Sequence, residues 1–269
     1  MHNCQDESLI NRWFPVAVSS DLPKRHVYHG QLLGEELAVW RSDDGAVNAW
    51  ENRCPHRGVR LSIGLNLGGE LKCQYHGMQF ASGSGQCTFM PAHRDMPPAR
   101  ALCVKAYPCR EQDGLVWVTL GAAAVFGASP LAGHTVTQMR SLPFNASALL
   151  VAEALTRYRF SPSAGEDVVE ARVAPIDAFT LQATIEDRSV IFLLQPADVD
   201  RAILHSALVG PVAPADHIKA LRHHNENLTA LRRSIESAGA RLLSALEGAD
   251  HSSAYRKLVQ GRVQYGAAA

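Results

Sequence analysis

Cys54-Pro55-His56-Arg57-Gly58 and Cys73-Gln74-Tyr75-His76-Gly77 place two cysteines and two histidines in the pattern C-x-H-(x16)-C-x-x-H. Each short loop supplies one thiolate and one imidazole. Four such ligands can hold a [2Fe–2S] cluster with one iron on sulfur and the other on nitrogen. Zinc is the competing metal for two Cys and two His. Zinc-finger spacings, however, group a cysteine pair and then a histidine pair, whereas here each loop contributes one of each. Gly58 and Gly77 stand two and one residues after a histidine, where the backbone must bend tightly and come close to a cofactor. Imidazoles are neutral where thiolates are anionic, so such a cluster accepts an electron at a higher potential than an all-cysteine one.

With Met78-Gln79-Phe80 added to the second loop, these segments resemble the Rieske proteins, and more narrowly the Rieske non-haem iron oxygenases. The resemblance covers roughly residues 10 to 121. Respiratory Rieske proteins clamp their cluster loops with a disulfide; here Val59 and Tyr75 stand at those positions, which points to the oxygenase branch. The resemblance implies one [2Fe–2S] cluster per chain on Cys54, His56, Cys73 and His76, with Gly58, Gly77, Arg57 and Tyr75 around it. It also implies a potential near the low end of the Rieske range, about −150 mV.

Basic and acidic residues balance at 26 each, so nothing suggests a nucleic-acid or anionic-membrane surface. No run of 18 apolar residues occurs and the first residues are polar without a signal-peptide core, so the expectation is a soluble, cytoplasmic protein. Of six cysteines, Cys4, Cys87, Cys103 and Cys109 follow no disulfide framework and read as unpaired thiols.

The spacing predicts an α+β chain in three parts: residues 1–121 an antiparallel β domain with the ligand loops at one end, 122–143 a connector, and 144–269 a reduced second domain. Leu37-Ala38-Val39-Trp40 and Val47-Asn48-Ala49-Trp50 flank Asp43-Asp44-Gly45, a hairpin signal. Strand-like runs at 155–160, 168–173, 179–185, 190–195 and 201–209 suggest a meander. Beyond Pro214 and Asp216, Ile218, Leu221, Leu228, Leu231, Ile235, Leu242 and Leu246 recur at helical spacing. A short helix over 252–260 follows. Strands and then a long helix are similar to a shortened form of the family's helix-grip catalytic domain.

The resembled oxygenases bind a mononuclear iron through two histidines and a carboxylate, which leaves positions open for O2. In the family the histidines lie about five residues apart shortly after the Rieske domain, following an Asn and an Asp. Here the matching stretch, Asn145 to Leu155, holds no histidine, and Leu231-Arg232-Arg233 offers no carboxylate for the third ligand. His134 stands alone in the connector, and His26 and His29 lie on the β domain. His217 and His224 share a helix face but stand roughly 10 Å apart, while His223 and His224 point about 100° apart. The expectation is that this chain lacks a mononuclear iron site.

Three functions remain open. An electron-transfer subunit would pass electrons from an NAD(P)H-dependent reductase or ferredoxin to an iron on a partner, in a hetero-oligomer patterned on the family's head-to-tail trimers. A complete oxygenase or demethylase would carry iron ligands that the pattern does not reveal. A structural or regulatory subunit would use the cluster only to stabilise its fold.

Overall fold

The structure, a computed structural model, describes residues 6–122, 125–160, 169–186, 188–212 and 214–245. After a short helix, α1 (Glu7–Ile10), the first half is built of eleven strands: β1 (Phe14–Val18), β2 (Val27–Leu32), β3 (Glu35–Arg41), β4 (Val47–Glu51), β5 (Leu65–Asn66), β6 (Glu70–Lys72), β7 (Gln79–Ala81), β8 (Cys87–Phe89), β9 (Ala106–Tyr107), β10 (Cys109–Gln112) and β11 (Leu115–Val118). They form three antiparallel sheets, ordered β1-β11-β10, β2-β3-β4-β9 and β5-β6-β7-β8. The expected hairpin is β3–β4, turning at Gly45 with φ 93°. Trp40 and Trp50 meet edge to face across it with ring centroids 5.1 Å apart. They share a buried cluster with Cys54, Cys73, Leu71 and Phe80. The hairpin sheet and the β5–β8 sheet therefore pack on one another behind the two cysteines.

The second half contains β12 (Val136–Gln138), β13 (Leu142–Phe144), α2 (Ala148–Leu155), β14 (Arg159–Phe160), β15 (Val169–Glu170), β16 (Arg172–Asp177), β17 (Thr180–Ile185), β18 (Arg188–Asp198), β19 (Arg201–Val209) and α3 (Pro214–Ala245). A six-stranded antiparallel sheet runs β12-β19-β18-β17-β16, with β13 also on β19. The fold is α+β, as the spacing predicts. Three details differ. The connector is not strand-free, because β12 and most of β13 fall within it and pair with β19. Of the strand expected over 155–160 only Arg159 and Phe160 are extended: Leu155 ends α2, which Ser147 caps by accepting the Leu150 N–H at 3.3 Å, and a turn follows it. On α3, Leu228 and Ile235 are buried while Ile218 is 71 % exposed, so the buried stripe begins later than its spacing suggests. Residues 252–260, Leu246 and Cys4 lie outside the described residues, as does the side chain of Leu242.

One apolar core crosses the two halves. Phe14, Leu33 and Leu37 of the first join Phe144, Val151, Phe179 and Phe192 of the second. The β2–β3 turn seals this contact, with Leu33 N–H donating to the Pro196 carbonyl (2.7 Å) and Gly34 N–H to that of Ala197 (2.8 Å). Among the described residues no helix is long and apolar enough to cross a membrane.

Candidate metal centre

The two ligand loops are one motif used twice. In the first, Cys54 N–H donates to the Val59 carbonyl and Gly58 N–H to that of Cys54, both at 2.8 Å. In the second, Cys73 N–H donates to the Met78 carbonyl at 2.8 Å and Gly77 N–H to that of Cys73 at 3.0 Å. Each loop closes on a glycine in the left-handed region, φ 70° at Gly58 and 71° at Gly77, where a side chain is penalised. The first loop leaves β4 and the second joins β6 to β7, so two neighbouring sheets hold the loops side by side.

This repetition sorts the donors by depth. Cys54 and Cys73 are 4 % and 2 % exposed, whereas His56 and His76 are open to solvent. The two Nδ1 atoms face each other at 3.1 Å. Two nitrogens on one metal, each about 2.1 Å from it, would stand about 3.0–3.4 Å apart for angles from square to tetrahedral. Burial pushes the Cys54 thiol up to about 11, and the adjacent Cys73 raises it further while the His56 backbone N–H lowers it. Two buried thiols side by side resist ionisation unless a cation joins them. Among the described residues no three His, Cys, Asp or Glu side chains converge on one point. A pair of sulfurs below and a pair of nitrogens above thus suit two metal ions better than one zinc, and the donor set fits a [2Fe–2S] cluster.

Neighbours fix the loops. Asn52, fully buried, donates to Ser62 Oγ (2.9 Å) and accepts the Ser62 N–H (2.7 Å). Arg60 grips Glu36 with Nε at 2.8 Å and Nη2 at 2.6 Å, and this pairing holds the Glu36 carboxyl below its usual range. A Cβ on Gly77 would meet Pro91 Cγ at 3.2 Å, so the short 3-10 turn Pro91–His93 abuts the second loop. The Tyr75 ring lies 3.8 Å from that of His76, tilted by 36°. Arg57 is exposed beside His56. Sequence reading singled out Tyr75 and Arg57 but missed Glu36, Asn52 and Pro91, which carry no motif.

The other histidines have separate settings. His134, His26 and His29 are exposed, and His29 stands 4.0 Å from Glu36. His205 is buried between Ser141 Oγ (2.9 Å) and Gln195 Oε1 (2.7 Å), and burial pushes it down to about 4. His224 Nδ1 meets the Tyr158 hydroxyl at 2.7 Å and is likewise lowered to about 4 by burial, with His223 adding to the effect. His223 Nε2 lies 3.0 Å from Asn227, and His217 is half-buried. The inward face of α2 consists of Ala148, Val151 and Leu155.

Residues 12–108 match the family of the Rieske [2Fe-2S] domain, which carries a cluster that exchanges electrons. Oxidoreductase NdmD of Pseudomonas putida is 37 % identical over 258 residues, 90 % of this chain and 43 % of NdmD. The iron-sulfur subunit TsaM1 of the toluene-4-sulfonate monooxygenase system of Comamonas testosteroni is 38 % identical over 114 residues, 42 % of this chain and 32 % of TsaM1. This chain therefore spans less than half the length of either relative. In fold it is similar to NdmA of Pseudomonas putida CBB5, with TM-score 0.68, 21 % identity, and coverage of 86 % of this chain and 82 % of that one. It is equally similar to dicamba monooxygenase, with TM-score 0.68, 20 % identity, and coverage of 89 % and 90 %. Together, ligand loops and relatives show a Rieske [2Fe-2S] domain over residues 12–108, in a chain whose fold is similar to those of NdmA and dicamba monooxygenase over most of its length.

Proposed function

We propose that this chain is the Rieske electron-transfer component of a multicomponent oxygenase system. It takes electrons from a separate reductase or ferredoxin and passes them to a mononuclear iron on a partner subunit within a hetero-oligomer. Cys54, His56, Cys73 and His76 hold the cluster. When bound, the cluster stores and releases one electron at a time. Buried Cys54 and Cys73 would hold it from the apolar core, and exposed His56 and His76 from the solvent side. The exposed histidine pair above buried thiols is the observation that carries this reading.

Transfer to a partner's iron is supported by α2, whose inward residues are apolar at the place where the family sets its iron-binding histidines. The NdmD match runs through this second half as well, covering 90 % of the chain. Five described cysteines are unpaired, which supports a reducing, cytoplasmic setting.

Iron analysis of the reconstituted chain tests the proposal, together with turnover assayed with and without an iron-bearing oxygenase subunit. Two irons per chain, and oxidation of substrate only when the subunit is present, are expected. A third iron with turnover by the chain alone would restore the complete oxygenase. Two irons with no electron passed to any partner would leave a structural role.

A further inference from the structure

Away from the metal centre, the first turns of α3 and the strands β12 and β13 do not close completely on one another. A cavity of about 380 Å³ lies between them, within the size range of small-ligand pockets. Residues 138–142 form one wall and α3 from Ile218 to Leu228 forms the other. The cavity therefore shares no residue with α2 or with the two ligand loops.

Its floor is aliphatic. Met139, Leu142 and Leu228 are buried there, and Leu221 is half-buried beside them. Ile218, which helical spacing assigned to the buried stripe of α3, is exposed at the mouth instead. Cations stand on both walls: Arg140 between β12 and β13, and Arg222 on α3. Both are exposed, and neither forms an ion pair with a described carboxylate. Asn225 follows Arg222 by three residues and lines the cavity with it, as neighbours on one helix face do. The amide of Gln138, by contrast, is tied to the Asp113 carbonyl at 2.8 Å. Among the described residues that line the cavity, none is acidic and none is aromatic.

We infer that this cavity is a binding site for a small aliphatic carboxylate, whose head meets Arg140 and Arg222 and whose chain lies on Met139, Leu142 and Leu228. The lining selects the class. Two guanidinium groups without an acid partner attract an anion, and their planar fork matches a carboxylate. The aliphatic floor rewards burial of a hydrocarbon chain, while an aromatic ring would find no ring to stack on. A bound molecule bridges α3 to the edge of the six-stranded sheet, so occupancy favours the folded chain. This site goes beyond the electron-transfer reading and does not depend on the cluster.

Isothermal titration of the reconstituted chain with octanoate tests the inference. One molecule per chain should bind, with a dissociation constant below about 1 mM, a modest value for a ligand of about ten non-hydrogen atoms. Octanamide, which lacks the charge, and inorganic phosphate, which lacks the chain, should each bind about tenfold more weakly. The double variant Arg140→Gln with Arg222→Gln should weaken octanoate about tenfold. Arg233→Gln removes an exposed charge from α3 outside the cavity and should change binding less than about twofold. Amide hydrogen exchange on the wild type needs no variant: octanoate should slow it within 138–142 and 218–228. Absence of saturable binding, equal binding of octanamide or phosphate, equal losses in the double and the Arg233 variants, or slowed exchange only elsewhere would each overturn the site.

Discussion

Cys54 stands at the floor of the centre, beside Cys73, with a thiol that burial pushes up to about 11. A buried sulfur of that kind gives up its proton only to a strong local positive charge, such as a pair of ferric ions. Cys54→Ala should therefore abolish both the visible absorption and the rhombic EPR signal of the reduced protein; retention of either would remove Cys54 from the ligand set. The four candidate ligands were legible in the sequence because donor chemistry and spacing lie within single loops. Glu36 was not, since it meets Arg60 across 24 residues of chain, and a salt bridge between strand and loop leaves no local pattern. The Arg60 side chain is 57 % exposed, so this bridge adds little stability on its own. Its use is to hold the chain just past the first loop against β3.

At the scale of elements, the paired loops respond unequally to the same change. Alanine at either glycine must adopt a left-handed backbone, which costs about 1–2 kcal/mol. At Gly58 a Cβ meets nothing within 4 Å, whereas at Gly77 it presses on Pro91 and Lys72 at 3.2 and 3.4 Å. Gly77→Ala should thus lower the melting temperature and the iron content more than Gly58→Ala; equal losses would mean that the 91–93 turn does not brace the second loop. The strands β17 to β19 were legible because β17 alternates polar and apolar residues, β18 and β19 hold apolar runs, and turn residues follow β17 and β19. The helix α2 was not read, although Ser147 before Ala-Leu-Leu is a capping signal. Buried Val151 and Leu155 give that short segment the composition of a core strand, and eight residues hold barely two helical turns. Leu155, wholly buried in the common core, should cost about 2–5 kcal/mol when cut to alanine. Urea unfolding of the Leu155→Ala variant measures this, and a loss below that range would place α2 outside the shared core.

Across the whole molecule, a line of hydrogen bonds ties the second sheet to the first half. Ser141 meets His205, His205 meets Gln195, and Gln195 Nε2 donates to the Gln31 carbonyl of β2 at 2.6 Å. None of this was visible in the sequence, since its members lie far apart and histidine in a strand has no pattern of its own. Burial holds His205 neutral, lowering it from 6.5 to about 4. The unfolded chain takes up that proton near pH 6.5 and the folded chain only near pH 4, so in this window the unfolded state binds more protons. The stability tied to neutral His205 is therefore present above pH 6.5 and is lost as the pH falls towards 4. Between pH 7 and pH 5 the loss from His205 comes to about 2 kcal/mol. His224, lowered in the same direction, contributes with the same sign. His205→Gln keeps a neutral hydrogen-bonding side chain and removes the titration. Its stability at pH 7 should be below that of the wild type, but its urea midpoint should drop less between pH 7 and pH 5. If both proteins lose the same stability over that interval, the buried histidine is not what makes the joined halves sensitive to acid.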